Sequence, residues 1–213
     1  MPGPGRLGRT TDRRARLTCK GSLEDTFPGA LDGPMLPLRN DRGVVFPYVP
    51  TIMMNHQARY GSHQPIHSNF QYRYFQNYEL ADFTVSCDFT SSTSTEALYT
   101  QGAMHFFKSA MKIGFGETDP NAGVPPPVLE FSAWGPGWAE RIPVVIANFS
   151  FNIDGSADWT WPIPYANTDD QTMMPLKVTF ILTLSPTYST KSSRKEYNSE
   201  SFYNGALLRK GYQ

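Results

Sequence analysis

The 213-residue chain is short of cysteine, of long apolar runs and of any excess charge, and each shortage narrows what it can be. Its two cysteines, Cys19 and Cys87, stand far apart. That argues against a disulfide framework and is compatible with a reducing compartment. Cys87 reads as a small buried hydrophobe. No stretch approaches the roughly 18 apolar residues of a membrane span. The basic N-terminus also lacks the apolar core of about 7 to 15 residues that marks a secretory signal. A soluble protein, not exported by signal peptide and without a membrane partner, is expected. Missing too are the G-x-S-x-G elbow, the P-loop and the dinucleotide fingerprint. Asp169-Asp170, and Asp154 with Asp158, read as loop solvation rather than an acid/base pair. The expectation is therefore no enzyme, no catalytic residue, no cofactor and no metal.

Lys plus Arg and Asp plus Glu each number 19, so the net charge is zero, but the charges are not evenly spread. Residues 1–59 carry nine bases and five acids, residues 60–170 four and twelve, and residues 171–213 six and two. An acidic centre between basic ends gives a surface that repels anionic polymers and ends suited to docking elsewhere.

The first 50 residues hold 7 Pro and 7 Gly. That composition is near the point at which chains stop packing a core. Of 29 aromatic residues only Phe27 precedes residue 44. Residues 1–43 thus read as a flexible Pro/Gly-rich basic arm, and residues 44–213 as the folded domain. Arg6 to Lys20 holds six bases against Asp12, which suits an acidic neighbour or nucleic acid, although a solvated tail is the commoner meaning.

From Val44 the pattern is strands, at Val44–Arg59, Ser68–Tyr78, Leu80–Thr90, Pro127–Trp134, Ile142–Ile153 and Leu176–Pro186. Phe70, Tyr72 and Tyr74 share one face by period-two alternation. So do Phe83, Val85, Cys87 and Phe89, and so do Val178, Phe180, Leu182 and Leu184. Half-buried antiparallel strands are expected. One segment differs. Thr93-Ser94-Thr95-Glu96 has capping-box spacing and introduces a helix near 95–113, whose apolar stripe is Leu98, Gly102, Phe106 and Ala110 beside Met104, Phe107 and Met111. Pro125, Pro126 and Pro127 then hold a loop extended.

His56, His63 and His67 could meet at a metal if the chain turned at Gly61, but without a Cys or carboxylate cluster they read as turn and surface histidines. His105, on the helix, is expected to be partly buried. Trp134, Trp138, Trp159 and Trp161 suit sugar stacking on a β-sandwich, and equally the closing of a core or the docking of a subunit.

An ordered set of motifs covers about 170 residues: VVFPYVPTI (Val44 to Ile52), IHSNF (Ile66 to Phe70), EALYTQGAMHFFKSAMK (Glu96 to Lys112), GFGE (Gly114 to Glu117), AGVPPPVLEFSAWG (Ala122 to Gly135), IPVVIANFSF (Ile142 to Phe151) and SFYNG-x-L (Ser201 to Leu207). Together they resemble the tube-forming domain of baseplate tail-tube initiator proteins of contractile-tailed bacteriophages. The resemblance implies a mainly β fold with one α-helix, a tail-tube-type β-barrel or sandwich whose sheet completes a hexameric ring. It implies a structural virion protein, assembled in the host cytoplasm, that links the baseplate hub to the tail tube and initiates tube polymerisation. Its partners would be its own copies, the adjacent tube and hub rings, the tape measure protein as a further candidate, and DNA passing transiently and non-specifically through the lumen. An acidic lumen would present a non-binding wall to that DNA. Subunit or ring contacts are placed on motif residues Phe46, Pro47, Tyr48, Phe106, Pro125, Pro126, Pro127, Trp134, Phe202 and Tyr203. Larger members of the family carry substantial extra sequence before the tube domain, where this chain has about forty residues. The alternatives are the repeating tail tube subunit and, in a different class, a carbohydrate-binding β-sandwich module.

Overall fold

The computed structural model describes residues 12–117, 121–135, 137–165 and 170–213. Its first strand, β1 (Arg16–Cys19), lies where a flexible arm was expected. Leu17 and Cys19 point into the core, and Asp12 accepts hydrogen bonds from the Arg14 guanidinium on the solvent side. A single helical turn, α1 (Leu23–Thr26), follows and is capped reciprocally by Ser22 and Asp25. Two 3-10 turns, Ala30–Asp32 and Leu36–Leu38, then bring Met35 and Leu38 into the core. The boundary at residue 44 is thereby corrected, since residues 12–43 belong to the folded domain. Proline and glycine shape these turns, and the segment needs no core of its own because it adds a strand and a few apolar side chains to one built elsewhere. Residues 1–11 of the expected arm lie outside the described residues.

The chain continues through β2 (Gly43–Val45), β3 (Thr51–Met53), β4 (His56–His63), β5 (Tyr72–Leu80) and β6 (Phe83–Thr90) to helix α2 (Ser94–Ser109). Thr93 Oγ1 accepts from the Glu96 N–H, and the Glu96 carboxylate accepts from the Thr93 N–H, both at 3.3 Å. Gly102, Phe106, Phe107 and Ala110 are buried as the four-residue spacing predicts, and Ala103 with them, whereas Leu98 and Met104 are half-buried and Met111, past the end of the helix, is exposed. Gly102 is required, because a Cβ there would stand 2.8 Å from the Pro34 carbonyl oxygen of the segment crossing the helix. His105 lies off the stripe with one side open to solvent, and its partial burial, followed by Lys108 and Lys112, lowers its pKa. Beyond the helix come β7 (Leu129–Ala133), β8 (Ala139–Ile153), the short β9 (Ile163–Pro164) and β10 (Gln171–Thr172), β11 (Lys177–Pro186), and two short helices, α3 (Thr190–Glu196) and α4 (Ser199–Tyr203). The fold is mainly β, with four α-helices among the described residues, of which α2 alone is long.

Seven strands form one antiparallel sheet in the order β2-β1-β7-β8-β11-β6-β3. Its inner face presents Phe83, Val85, Cys87 and Phe89 on β6 and Val178, Phe180, Leu182 and Leu184 on β11, all buried as the alternation predicts. Phe107 of α2 packs on Phe149 and Phe180 with ring centroids 5.2 and 5.8 Å apart. Each fully buried side chain of this kind contributes about 1.5–3 kcal/mol.

The sheet cannot be flat. Seven flat strands would separate β2 from β3 by about 29 Å, yet the residues joining Val45 to Thr51 reach at most about 22 Å. The borders therefore curl towards one another. Phe46 packs on Phe89 at 6.1 Å, and the Tyr48 hydroxyl lies 2.8 Å from Thr90 Oγ1. No ladder joins β2 to β3, so the expected barrel or sandwich is, within one chain, a curled open sheet with α2 packed on it. Among the described residues no helix is long and apolar enough to cross a membrane.

Candidate assembly surface

Strands β4 and β5 pair with each other and not with the main sheet. They extend β3 and β6 beyond its border, with His56 opposite Leu80 at the base and His63 opposite Tyr72 at the far end. Eight residues of β4 span about 27 Å. Every residue of the two strands except Gly61 and Leu80 is exposed. Phe70, Tyr72 and Tyr74, expected to be half-buried, are therefore largely open to solvent, because none of the described residues covers this ribbon.

A bulge organises its two faces. Arg59 lies opposite Asn77 but Tyr60 lies opposite Phe75, which leaves Gln76 as an extra residue. Directly opposed residues share a face. One face thus carries His56 stacked on Tyr78 and, beyond them, Tyr60 edge-on to Phe75 at 5.8 Å. The opposite face begins polar, with Arg59 and Glu79 paired at 3.1 Å. Past the bulge it turns aromatic with Tyr74 and Tyr72. A Cβ at Gly61 would come within 2.5 Å of Tyr74 Cζ, so the Tyr74 ring fills the place of the missing side chain. The base is apolar on one face only, and just past the bulge aromatic rings stand on both: Tyr60 and Phe75 on one, with Ser62 and Arg73 beyond them, and Tyr74 and Tyr72 on the other.

The two borders of the main sheet are finished differently. At β2, the Tyr99 hydroxyl of α2 accepts from the Val45 N–H at 2.7 Å and donates to the Val45 carbonyl at 3.1 Å. Burial raises the Tyr99 pKa, so the phenol stays protonated and able to donate. At the other border β3 pairs, among the described residues, only with Thr84 to Ser86 of β6, so its outer side is left open by them and continues into the outer side of β4.

Two expected contact residues are core residues: Phe46 and Phe106 are both fully buried, and neither is a surface contact of the folded chain. Phe46 closes the curl against Phe89, while Phe106 faces Phe27 and Phe107. Pro47 and Tyr48 are exposed beside the open border. Pro125 is exposed, and Pro126 and Pro127 are half-buried. Trp134 lies in the β7–β8 turn, edge-on to Trp138. Phe202 packs on Tyr197 and Tyr203 is exposed. The exposed ribbon aromatics Tyr60, Phe75 and Tyr78 are not among the expected contacts. The absence of any Asp or Glu from residue 60 to residue 78 was the available signal.

Among the described residues, clefts include two that gather polar side chains. The first, about 390 Å³, is lined by Tyr48, Val49, Thr51, Ser86, Asp88 and Lys177. There Thr179 and Lys177 hydrogen-bond to Asp88 and hold its carboxyl below the usual range, and burial pushes the neighbouring Cys87 thiol up to about 11, leaving it unreactive at neutral pH. The second, about 480 Å³, lies over β1, β7 and β8 and brings Arg42, Trp134 and Arg141 together with Glu130 and Glu140. Those first three residues have left-handed φ of 57°, 58° and 54°. Among the described residues no three His, Cys, Asp or Glu side chains gather as a metal would require. His56 and His63 stand at opposite ends of β4. A comparison with protein-family models gave no match, and a comparison with curated proteins gave none either.

Proposed function

We propose that this chain is a structural protein of a contractile phage tail, forming a hexameric baseplate ring that links the hub to the tail tube, initiates tube polymerisation and lets DNA pass through its lumen. One observation carries the reading: the curled sheet is sealed at β2 by Tyr99 but left open along β3, where it runs into an exposed aromatic ribbon. An unpaired border beside exposed aromatic side chains is a liability in a lone molecule and an interface in an assembly. A contact between that open border and a different surface of the next copy is heterologous and closes into a ring when its rotation allows. A closed ring then offers tube subunits a fixed face, which removes the entropic cost of gathering loose monomers. The repeating tube subunit is the same reading with a different place in the stack.

Electron microscopy of the purified protein tests this. Sixfold rings of tube width are expected; a monodisperse monomer that neither closes nor co-assembles with tube or hub proteins overturns it. A carbohydrate-binding reading draws on Trp134, which lines a cleft rich in hydrogen-bonding side chains. A specific signal on a glycan array, lost on Trp134→Ala, would favour it.

A further inference from the structure

We propose that the cleft over β1, β7 and β8 binds an acidic sugar, a saccharide unit that carries a carboxylate or a phosphate. The inference is independent of the ring reading. It rests on and deepens the carbohydrate-binding one, to which it adds the class of sugar and the residues that hold it.

The floor of the cleft is the outer face of the sheet. Arg16 lies opposite Ser132 and Thr18 opposite Glu130, while Leu17 and Phe131 between them are turned into the core. A bulge then sets two residues where regular pairing would set one. Phe131 pairs with Ile142 and Ala133 with Ala139, so Glu140 and Arg141 together oppose Ser132. The Arg141 N–H donates to Ser132 Oγ at 2.9 Å and fixes the bulged strand in its left-handed turn. Among the described residues four that are not glycine have left-handed backbone, and three of them, Arg42, Trp134 and Arg141, line this one cleft. The other two are held as firmly. The Trp134 N–H donates to the Arg13 carbonyl at 3.0 Å, and the Cys19 N–H donates to the Arg42 carbonyl at 2.8 Å. Glycine would take each position without strain, yet the chain keeps two guanidiniums and an indole there. Strain of this kind gathers at ligand sites.

Charge and hydrogen bonding select the ligand. The cleft brings together five arginines and four acids. Asp12 is taken up by Arg14 and Arg16. Arg13, Arg42 and Arg141 form no ion pair among the described residues. Such guanidiniums call for a carboxylate or phosphate, whose oxygens match their paired N–H groups. A bare anion would leave the rest of the site unsatisfied, because Glu140 Oε2 is buried without a hydrogen-bond partner. Glu130 likewise has no ion pair among the described residues. These carboxylates call for donors. Sugar hydroxyls place donors on the same molecule as the acid group, and the exposed part of the Trp134 ring offers a flat wall for a sugar ring. A cationic ligand would face the three unpaired arginines. The volume of about 480 Å³ falls within the range of small-ligand sites, roughly 300–1,000 Å³.

Calorimetric titration of the full chain tests this, with thermal melting as the folding control. The probes are tetragalacturonate for an acidic polysaccharide, glucose 6-phosphate for a free sugar phosphate, and maltotetraose as the neutral counterpart. At least one acidic probe is expected to bind at least tenfold more tightly than maltotetraose, and the tighter of the two names the source. Arg141→Gly removes a guanidinium and relieves the left-handed backbone. It is expected to raise the Kd at least tenfold without lowering the melting temperature. Glu140→Ala is expected to raise the Kd as well, whereas plain attraction of anions to arginines would lower it. Tighter binding by Glu140→Ala, or inorganic phosphate binding as well as glucose 6-phosphate, overturns the sugar assignment. Maltotetraose binding as tightly as the acidic probes, with loss on Trp134→Ala, overturns the acidic class and leaves the carbohydrate-binding reading standing. Binding of none of the three sugars overturns both and leaves the ring reading untouched.

Discussion

Residues 16–45 and residues 56–80 are segments of similar length that use their side chains in opposite ways. The first is rich in turn residues and poor in aromatics, yet Leu17, Leu23, Met35, Leu38 and Val44 are all buried. The second is a regular ribbon dense in Tyr and Phe and is exposed along nearly its whole length. What separates them is the neighbour each strand finds. β1 inserts between β2 and β7 and covers a core that the rest of the chain has built, while β4 finds only β5 among the described residues. Apolar content therefore says how much surface a segment has to bury, and topology says whether the same molecule can bury it.

The largest expected effects would break this comparison outright. Deleting residues 12–40 removes a strand from inside the sheet and should abolish cooperative unfolding as followed by circular dichroism. Replacing residues 57–79 by Asn-Gly, a two-residue turn that closes His56 onto Leu80, should leave the melting transition of the body in place and abolish assembly. A body that unfolds without its ribbon would show that the two regions are one cooperative unit.

Next in size is a matched pair of charges. Phe106→Asp buries a carboxylate at a fully buried position and should cost several kcal/mol, enough to prevent folding. Phe75→Asp meets water and should leave denaturant unfolding unchanged. Comparable losses from the two would contradict the exposure of the ribbon. A smaller effect is expected at the sealed border. Tyr99→Phe leaves both polar groups of Val45 without the hydroxyl and should cost about 1–3 kcal/mol in urea titration. Light scattering should rise as well, because a β-edge is uncovered.

The smallest concerns the salt bridge at the start of the described chain. The Arg14 side chain, hydrogen-bonded to Asp12, holds the Asp12 carboxyl below its usual range. A group whose folded pKa is depressed contributes stability above its unfolded pKa, and that contribution is lost as the pH falls through the folded value. Asp12→Asn should therefore be less stable than the parent above about pH 4 and should converge with it in stronger acid. Arg14 is half-exposed, so the difference should stay below about 1 kcal/mol.

Much of the body was legible. The β6 and β11 alternations and the Thr93–Glu96 cap were read correctly because each is set by spacing along the chain itself. The same reasoning misplaced Phe46 and Phe106, which sit in motifs that suggested contacts but face the interior. It also read the Phe70, Tyr72 and Tyr74 alternation as half-buried. Period two reports that a strand has an apolar face and is silent on what lies against it. The Gln76 bulge was invisible for a related reason, since only the register with β4 shows that Phe75 shares a face with Tyr78, three residues away, where simple alternation would put them on opposite faces.

By itself the sequence determined the strand periods, the cap and stripe of the long helix, and the acid-free aromatic stretch from residue 60 to residue 78, because these follow from local geometry and composition. Only the tertiary structure decided that residues 12–43 complete the sheet, that Tyr99 seals one border while β3 leaves the other open, and that the ribbon stands uncovered. Those outcomes depend on which distant segments meet, and burial is a property of that meeting, not of any residue's own chemistry.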